Sequence, residues 1–143
     1  MYFCTFTCFN WLRLIEITNG SDLVYNWFDI LKDEKINTVA YVIMPDHHHC
    51  ILHFPKAGFN LNNIIGNAKR FMAYEMVARL EQSGRSDVLQ KLSEAVMPGD
   101  RKRCKLHQVF IRSFDGKLIL NQTMLLQKID YLPAGRQASI IIR

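Results

Sequence analysis

The pattern of apolar and polar positions divides the chain into alternating short runs and long stripes. Residues Tyr2 to Phe9 (YFCTFTCF) place aromatic, Thr and Cys side chains in near alternation, which is strand composition. After Ser21, a plausible N-cap, Leu23, Val24, Trp27, Phe28 and Leu31 recur at helical spacing. A β-branched apolar run, Thr38 to Met44, and a second run, His48 to Phe54, follow, each stopped by a proline. Only a short Pro-Asp connection separates them, so they read as an antiparallel hairpin. Asn60 opens a long helix whose stripe runs through Leu61, Ile64, Ile65, Ala68, Phe71, Met72, Met76 and Leu80. Ser86 to Val96 suggest a shorter helix broken by Pro98 and Gly99, and Gln108 to Phe114 suggest a further strand. Asn121 caps a last amphipathic helix through Leu125, Leu126, Ile129 and Leu132, ended by Pro133.

This order of strands and helices matches an α+β, ferredoxin-like split βαβ sandwich: an antiparallel sheet with helices on one face, plus a C-terminal helix. The other sheet face is then open to chemistry or binding. With no internal repeat and no linker, the 143 residues read as a single domain.

Composition narrows the function. Hydrophobic residues make up 49% of the chain and charged residues 22%, so it can bury a core. Eighteen Lys and Arg against 13 Asp and Glu give a net charge of +5, which favours polyanionic partners. No apolar run approaches the roughly 18 residues of a membrane span. The N-terminus lacks the basic start of a signal peptide, and a cytoplasmic location with no membrane partner is expected. Cys4, Cys8, Cys50 and Cys104 contain no Cys-x-x-Cys pair and read as reduced thiols, with Cys4 and Cys8 on one side of a strand.

Candidate chemistry centres on His47, His48 and His49 at the start of the second hairpin strand. Side chains alternate across a strand, so His47 and His49 share one face and His48 takes the other. Imidazoles two residues apart, about 7 Å at Cα, can converge on one cation. An isolated His-x-His is more often a pair of surface residues, so the surrounding sequence matters.

The stretch from Tyr41 to Leu52, with Met44-Pro45-Asp46-His47-His48-His49 at its centre, resembles the histidine motif of the small tyrosine transposases. These are the IS200-like and, more closely, the REP-associated tyrosine transposases of the HUH endonuclease superfamily. That family shows Met-Pro-Asn-His-x-His before an apolar strand; here Asp46 replaces the Asn and His48 the intervening hydrophobic residue. The resemblance extends from Trp11 to about Tyr131, through the Asn67 to Phe71 segment and Gln108-Val109-Phe110. Gln127 to Leu132 looks like the opening of the family's tyrosine helix. After Leu132 the family's Asn-Pro is missing, and Gly135 stands where a polar residue one turn beyond the tyrosine can help hold the metal. Residues 133–143 therefore read as a truncated or diverged tail.

The resemblance implies a ferredoxin-like fold and a single-stranded DNA transposase or nickase. Tyr131 would be the catalytic nucleophile, forming a 5′-phosphotyrosine intermediate, with His47 and His49 holding a divalent metal, Mg²⁺ or Mn²⁺. The partner would be single-stranded DNA, hairpin or repeat-derived, bound by a monomer or homodimer. Lys69, Arg70, Arg101, Lys102, Arg103 and Lys105 are the candidate DNA-binding residues; as a basic run they are equally a solvated loop. His53 and His107 are possible substitute ligands. The competing reading is a decayed transposase remnant, or a ferredoxin-like domain that only binds nucleic acid. A zinc module through Cys50 and Cys104 lacks paired ligand spacing.

Overall fold

A computed structural model describes residues 1–112, 115–132 and 138–139, and only the backbone of residues 115, 138 and 139. Strand β1 (Tyr2–Thr7) leads through a single 3₁₀ turn to the short α1 (Leu14–Ile17) and then α2 (Ser21–Asp33). The hairpin is β2 (Asn37–Ile43) and β3 (His47–His53), followed by α3 (Leu61–Gln82), α4 (Ser86–Glu94) and α5 (Pro98–Arg101). The chain continues through β4 (Asp115–Leu118), α6 (Gln122–Tyr131) and β5 (Ala138–Ser139).

The strands form one sheet in the order β4-β1-β3-β2-β5, with every neighbouring pair antiparallel. Each crossover, β1 to β2 and β3 to β4, skips one strand, so two split βαβ units interlock and leave β1 and β3 central. This is the expected α+β, ferredoxin-like sheet. The hairpin turn is closed by the Met44 N–H donating to the His47 carbonyl at 2.8 Å, with Pro45 and Asp46 at its tip.

Alternation in β1 and β3 feeds two cores. Cys4, Phe6, Cys50 and Leu52 face α2 and α3, which contribute Val24, Trp27 and Leu31, and Ile65, Met72, Met76 and Leu80. On the other side, Phe3, Ala40, Val42 and Ile51 gather with Ile119 and Leu132, and Met124, Leu125 and Ile129 of α6 pack against them. Thus α6 covers the sheet face opposite to α2 and α3. All four cysteines are unpaired thiols, and burial pushes Cys8 up to about 12, far from any reactive range.

Asn60 and Asn121 cap their helices as expected, accepting from the backbone N–H of Asn63 and Met124. Elsewhere the structure corrects the expectation. Ser21 is the first helical residue rather than the cap, because α1 closes through Gly20, whose N–H donates to the Ile15 carbonyl at 2.7 Å. A Cβ on Gly20 would stand 2.9 Å from Thr18 Oγ1 and 3.2 Å from Met76 Cε, so only glycine fits this close approach to α3. Pro98 does not simply break the chain but starts α5, where its missing N–H costs nothing.

The strand expected at Gln108 to Phe114 does not form over Gln108 to Arg112; one isolated bridge joins Phe110 to Cys8. Gln108 donates its N–H to the Leu92 carbonyl and Ile111 to that of Thr7, so the segment divides its backbone bonds between α4 and β1. Residues 113 and 114 lie outside the described residues, and β4 pairs with β1 further on. Of the expected tail, Ala138 and Ser139 add β5 alongside β2, whereas Pro133 and Gly135 lie outside the described residues.

Candidate active site

The antiparallel register of β1 and β3 sets Thr5 opposite His49, Phe6 opposite His48 and Thr7 opposite His47. The histidines alternate accordingly. The rings of His47 and His49 lie 4.9 Å apart between centroids on the α6 face of the sheet. His48 points the other way and is fully buried, 4.2 Å from the Phe6 ring and 6.2 Å from the Trp27 ring. Neither nitrogen of His48 has a hydrogen-bond partner among the described residues. Burial, reinforced by the neighbouring His49, His47 and Lys69, pushes its pKa down to about 3. His48 is therefore a neutral hydrophobe at neutral pH, which reconciles it with a position the resembling family fills with an apolar residue.

Hydrogen bonds orient the other two rings. His47 donates from Nδ1 to Asp46 Oδ1 at 2.6 Å, and Thr5 Oγ1 lies 2.8 Å from His49 Nδ1. The Asp46 turn is itself fixed, since its carbonyl accepts from Cys8 N–H and the Pro45 carbonyl from Glu16 N–H. Phe3 stacks on His49 at 5.2 Å, and Trp11, 62% exposed, meets His47 edge-on at 5.6 Å. With its Nδ1 engaged by Asp46, His47 would ligate through Nε2, and His49 supplies a second imidazole beside it. These donors suit a divalent transition ion in kind. In number they are two: no group of three or more His, Cys, Asp or Glu suited to one ion occurs among the described residues.

Tyr131 is the last residue of α6, and its ring centroid lies 6.0 Å from that of His49 and 6.3 Å from that of Phe3. Leu132 beside it is buried in the core over Phe3, while Tyr131 remains 64% exposed, so the helix end is anchored and the phenol is accessible. The Lys128 ammonium sits 4.8 Å above the Phe3 ring and 5.6 Å above the Tyr131 ring. Sequence reading did not single out Lys128, although its position three residues before Tyr131 is the signal that it shares the helix face.

The basic residues separate. Lys69 and Arg70 on α3, with Arg103, Lys105 and the overlooked Arg112, line a groove between α3 and residues 103–112. Arg101 instead turns back to donate to the Ser93 carbonyl at 2.6 Å and the Val96 carbonyl at 3.3 Å, closing the end of α4. Lys102 is exposed outside the groove. His107 lines the groove, and His53 ends β3 opposite Asn37, about 13 Å of strand beyond His49.

The fold and site together define a class: a split βαβ sheet with a histidine pair on a central strand and a tyrosine-bearing helix laid over it. Two solved structures share the fold. One is a REP-associated tyrosine transposase bound to a REP hairpin, with a TM-score of 0.54 and 17% identity over 92% of this chain. The chain spans 62% of that protein's length. The other is a candidate transposase from Deinococcus radiodurans R1, with a TM-score of 0.53 and 16% identity over 94% of this chain and 91% of its counterpart. No protein-family profile and no curated protein matches the chain. The motif resemblance is thus met by a likeness of fold. No helix among the described residues is long and apolar enough to cross a membrane.

Proposed function

We propose that this chain cleaves and rejoins single-stranded DNA through a tyrosine nucleophile with metal assistance, as a transposase of the REP-associated kind. The observation that carries this reading is the approach of Tyr131 to His49, on the face that His47 and His49 share. Support for this reading comes from α6 bringing Tyr131 beside His49, 82 residues earlier in the chain, whose ring neighbours that of His47.

In this reading the Tyr131 oxygen attacks a backbone phosphorus. The bond to the 3′ oxygen breaks, that oxygen takes up a proton, and a 5′-phosphotyrosine link preserves the diester for rejoining. A divalent ion held by His47 and His49 would supply charge stabilisation at the phosphate. Asp46 and Thr5 hold the imidazoles in register. Lys128, over the Tyr131 ring, adds a fixed positive charge where the phosphate approaches. Trp11 and Tyr131 are exposed aromatic surfaces on which an unpaired base can stack.

A second reading, DNA binding without cleavage, is favoured by one observation: the described residues bring only two ligating side chains to the pair. Incubation with a labelled single-stranded hairpin and Mn²⁺ separates the two. A protein–DNA adduct that survives denaturation supports the enzyme, whereas a shifted but unlinked complex supports the binder.

A further inference from the structure

The turn after β1 carries an exposed tryptophan beside the histidine pair, on a backbone that such a residue rarely adopts. Asn10 and Trp11 both have positive φ, 51° and 54°. Asn tolerates this left-handed region, but a bulky side chain seldom enters it. Strain of this kind persists only where the surroundings enforce it, and it gathers at functional sites. The enforcement here is a set of backbone bonds. Cys8 N–H donates to the Asp46 carbonyl at 2.8 Å, Phe9 N–H to that of Val109 at 2.7 Å, and Trp11 N–H to that of Cys8 at 3.1 Å. Phe9 and Leu12, on either side, pack against the core and give the turn its apolar anchorage. Trp11 instead stays 62% exposed, with its indole 5.6 Å from the His47 ring.

The register of β1 against β3 arranges the site as a row. Phe3 lies opposite Ile51, Thr5 opposite His49 and Thr7 opposite His47. Tyr131, beside Phe3 and His49, therefore stands at one end, and Trp11, beside His47 and past the end of β1, stands at the other. An oxygen that attacks phosphorus expels the oxygen on the opposite side. With Tyr131 as the nucleophile, the departing 3′ oxygen faces the Trp11 end.

We infer that Trp11 stacks on the unpaired base of the nucleotide that carries this 3′ oxygen, and so determines which phosphate is cut. The stack aligns the breaking bond with Tyr131. After cleavage only the 5′-phosphate side is covalently held, and the same stack keeps the freed 3′-hydroxyl strand in place for rejoining. A paired base inside a duplex is already covered on both faces, so the indole also selects an unpaired nucleotide at this position. The inference deepens the cleavage reading above and rests on it for the identity of the nucleotide; the contact between indole and base needs neither the Tyr131 oxygen nor a metal.

The test uses the full chain and a hairpin with a single-stranded flank, in which one abasic site is moved nucleotide by nucleotide. The first readout is tryptophan fluorescence of Tyr131→Phe in EDTA, with the buried Trp27 subtracted by means of the Tyr131→Phe, Trp11→Ala double variant. The intact flank should quench Trp11, and an abasic site at one position alone should restore the emission. The second readout is the rate of adduct formation with Mn²⁺. In the parent, the abasic site at that same position should slow the reaction at least about 10-fold, the scale of one base–aromatic stack. That position should be the nucleotide bearing the released 3′-hydroxyl. Trp11→Ala should be about as slow on the intact flank and indifferent to the abasic site within about twofold, while Trp11→Phe should recover most of the rate. Absence of quenching would overturn the inference, as would a Trp11→Ala variant as sensitive to the abasic site as the parent, or a critical position on the phosphotyrosine side of the cut. Quenching confined to one position in a parent that forms no adduct would support the indole–base contact and overturn the cleavage reading alone.

Discussion

Replacing His48 with leucine should both stabilise the fold and remove most of its sensitivity to mild acid. The imidazole is fully buried against Phe6 and Trp27, and its pKa falls to about 3 from an ordinary value near 6.5. The folded-state value is the lower one, so protons bind the unfolded chain preferentially. Stability from this group is therefore complete above about pH 6.5 and drains away as pH falls towards 3. At 1.36 kcal/mol per pH unit, the loss between pH 7.5 and 5 comes to about 2 kcal/mol. Leucine, close to histidine in volume, cannot titrate and leaves no unpaired nitrogen, which adds a pH-independent gain of about 1 kcal/mol or more. Urea denaturation in EDTA, followed by tryptophan fluorescence at pH 5 and 7.5, gives both quantities. Other titrating groups act on parent and variant alike and cancel in the difference. A His48→Leu variant that lost as much stability as the parent on acidification would refute the reasoning.

Three further outcomes follow from the same geometry. Asp46→Asn should weaken Mn²⁺ binding by roughly 10-fold in calorimetry, because an amide holds the His47 Nδ1–H less strongly than a carboxylate does; unchanged affinity would mean that Asp46 does not support a ligand. Leu132→Ala should cost about 2–3 kcal/mol in denaturant midpoint analysis and reduce adduct formation more than DNA binding, since Leu132 anchors the end of α6 over Phe3. Asn60→Ala should lower stability by about 1 kcal/mol through loss of the bond to Asn63 N–H, with no effect on adduct yield.

Local chemistry explains which parts of this structure were legible in the sequence. The period of two along β3 was enough to separate His47 and His49 from His48, and each Asn cap lay directly before an apolar stripe. The short Pro-Asp connection between two strand-like runs was sufficient to pair β2 with β3. What escaped depended on contacts between distant segments. Thr5 supports His49 only because β1 lies in that register beside β3, and nothing near residue 5 announces it. Gln108 to Arg112 have strand composition, yet their backbone donors are claimed by Leu92 and Thr7 from two different elements. Arg101 looked like its basic neighbours and is distinguished by the carbonyls at the end of α4 within its reach.

The central claim is that Tyr131 and the His47/His49 pair form one catalytic centre. Its most direct test is peptide mapping by mass spectrometry after reaction of the protein with a single-stranded hairpin and Mn²⁺. The account predicts a nucleotide attached to the peptide that contains Tyr131, lost in Tyr131→Phe and strongly reduced in His49→Ala, while both variants still bind the hairpin. A nucleotide attached to any other residue, or an adduct that forms equally well in His49→Ala, would contradict it.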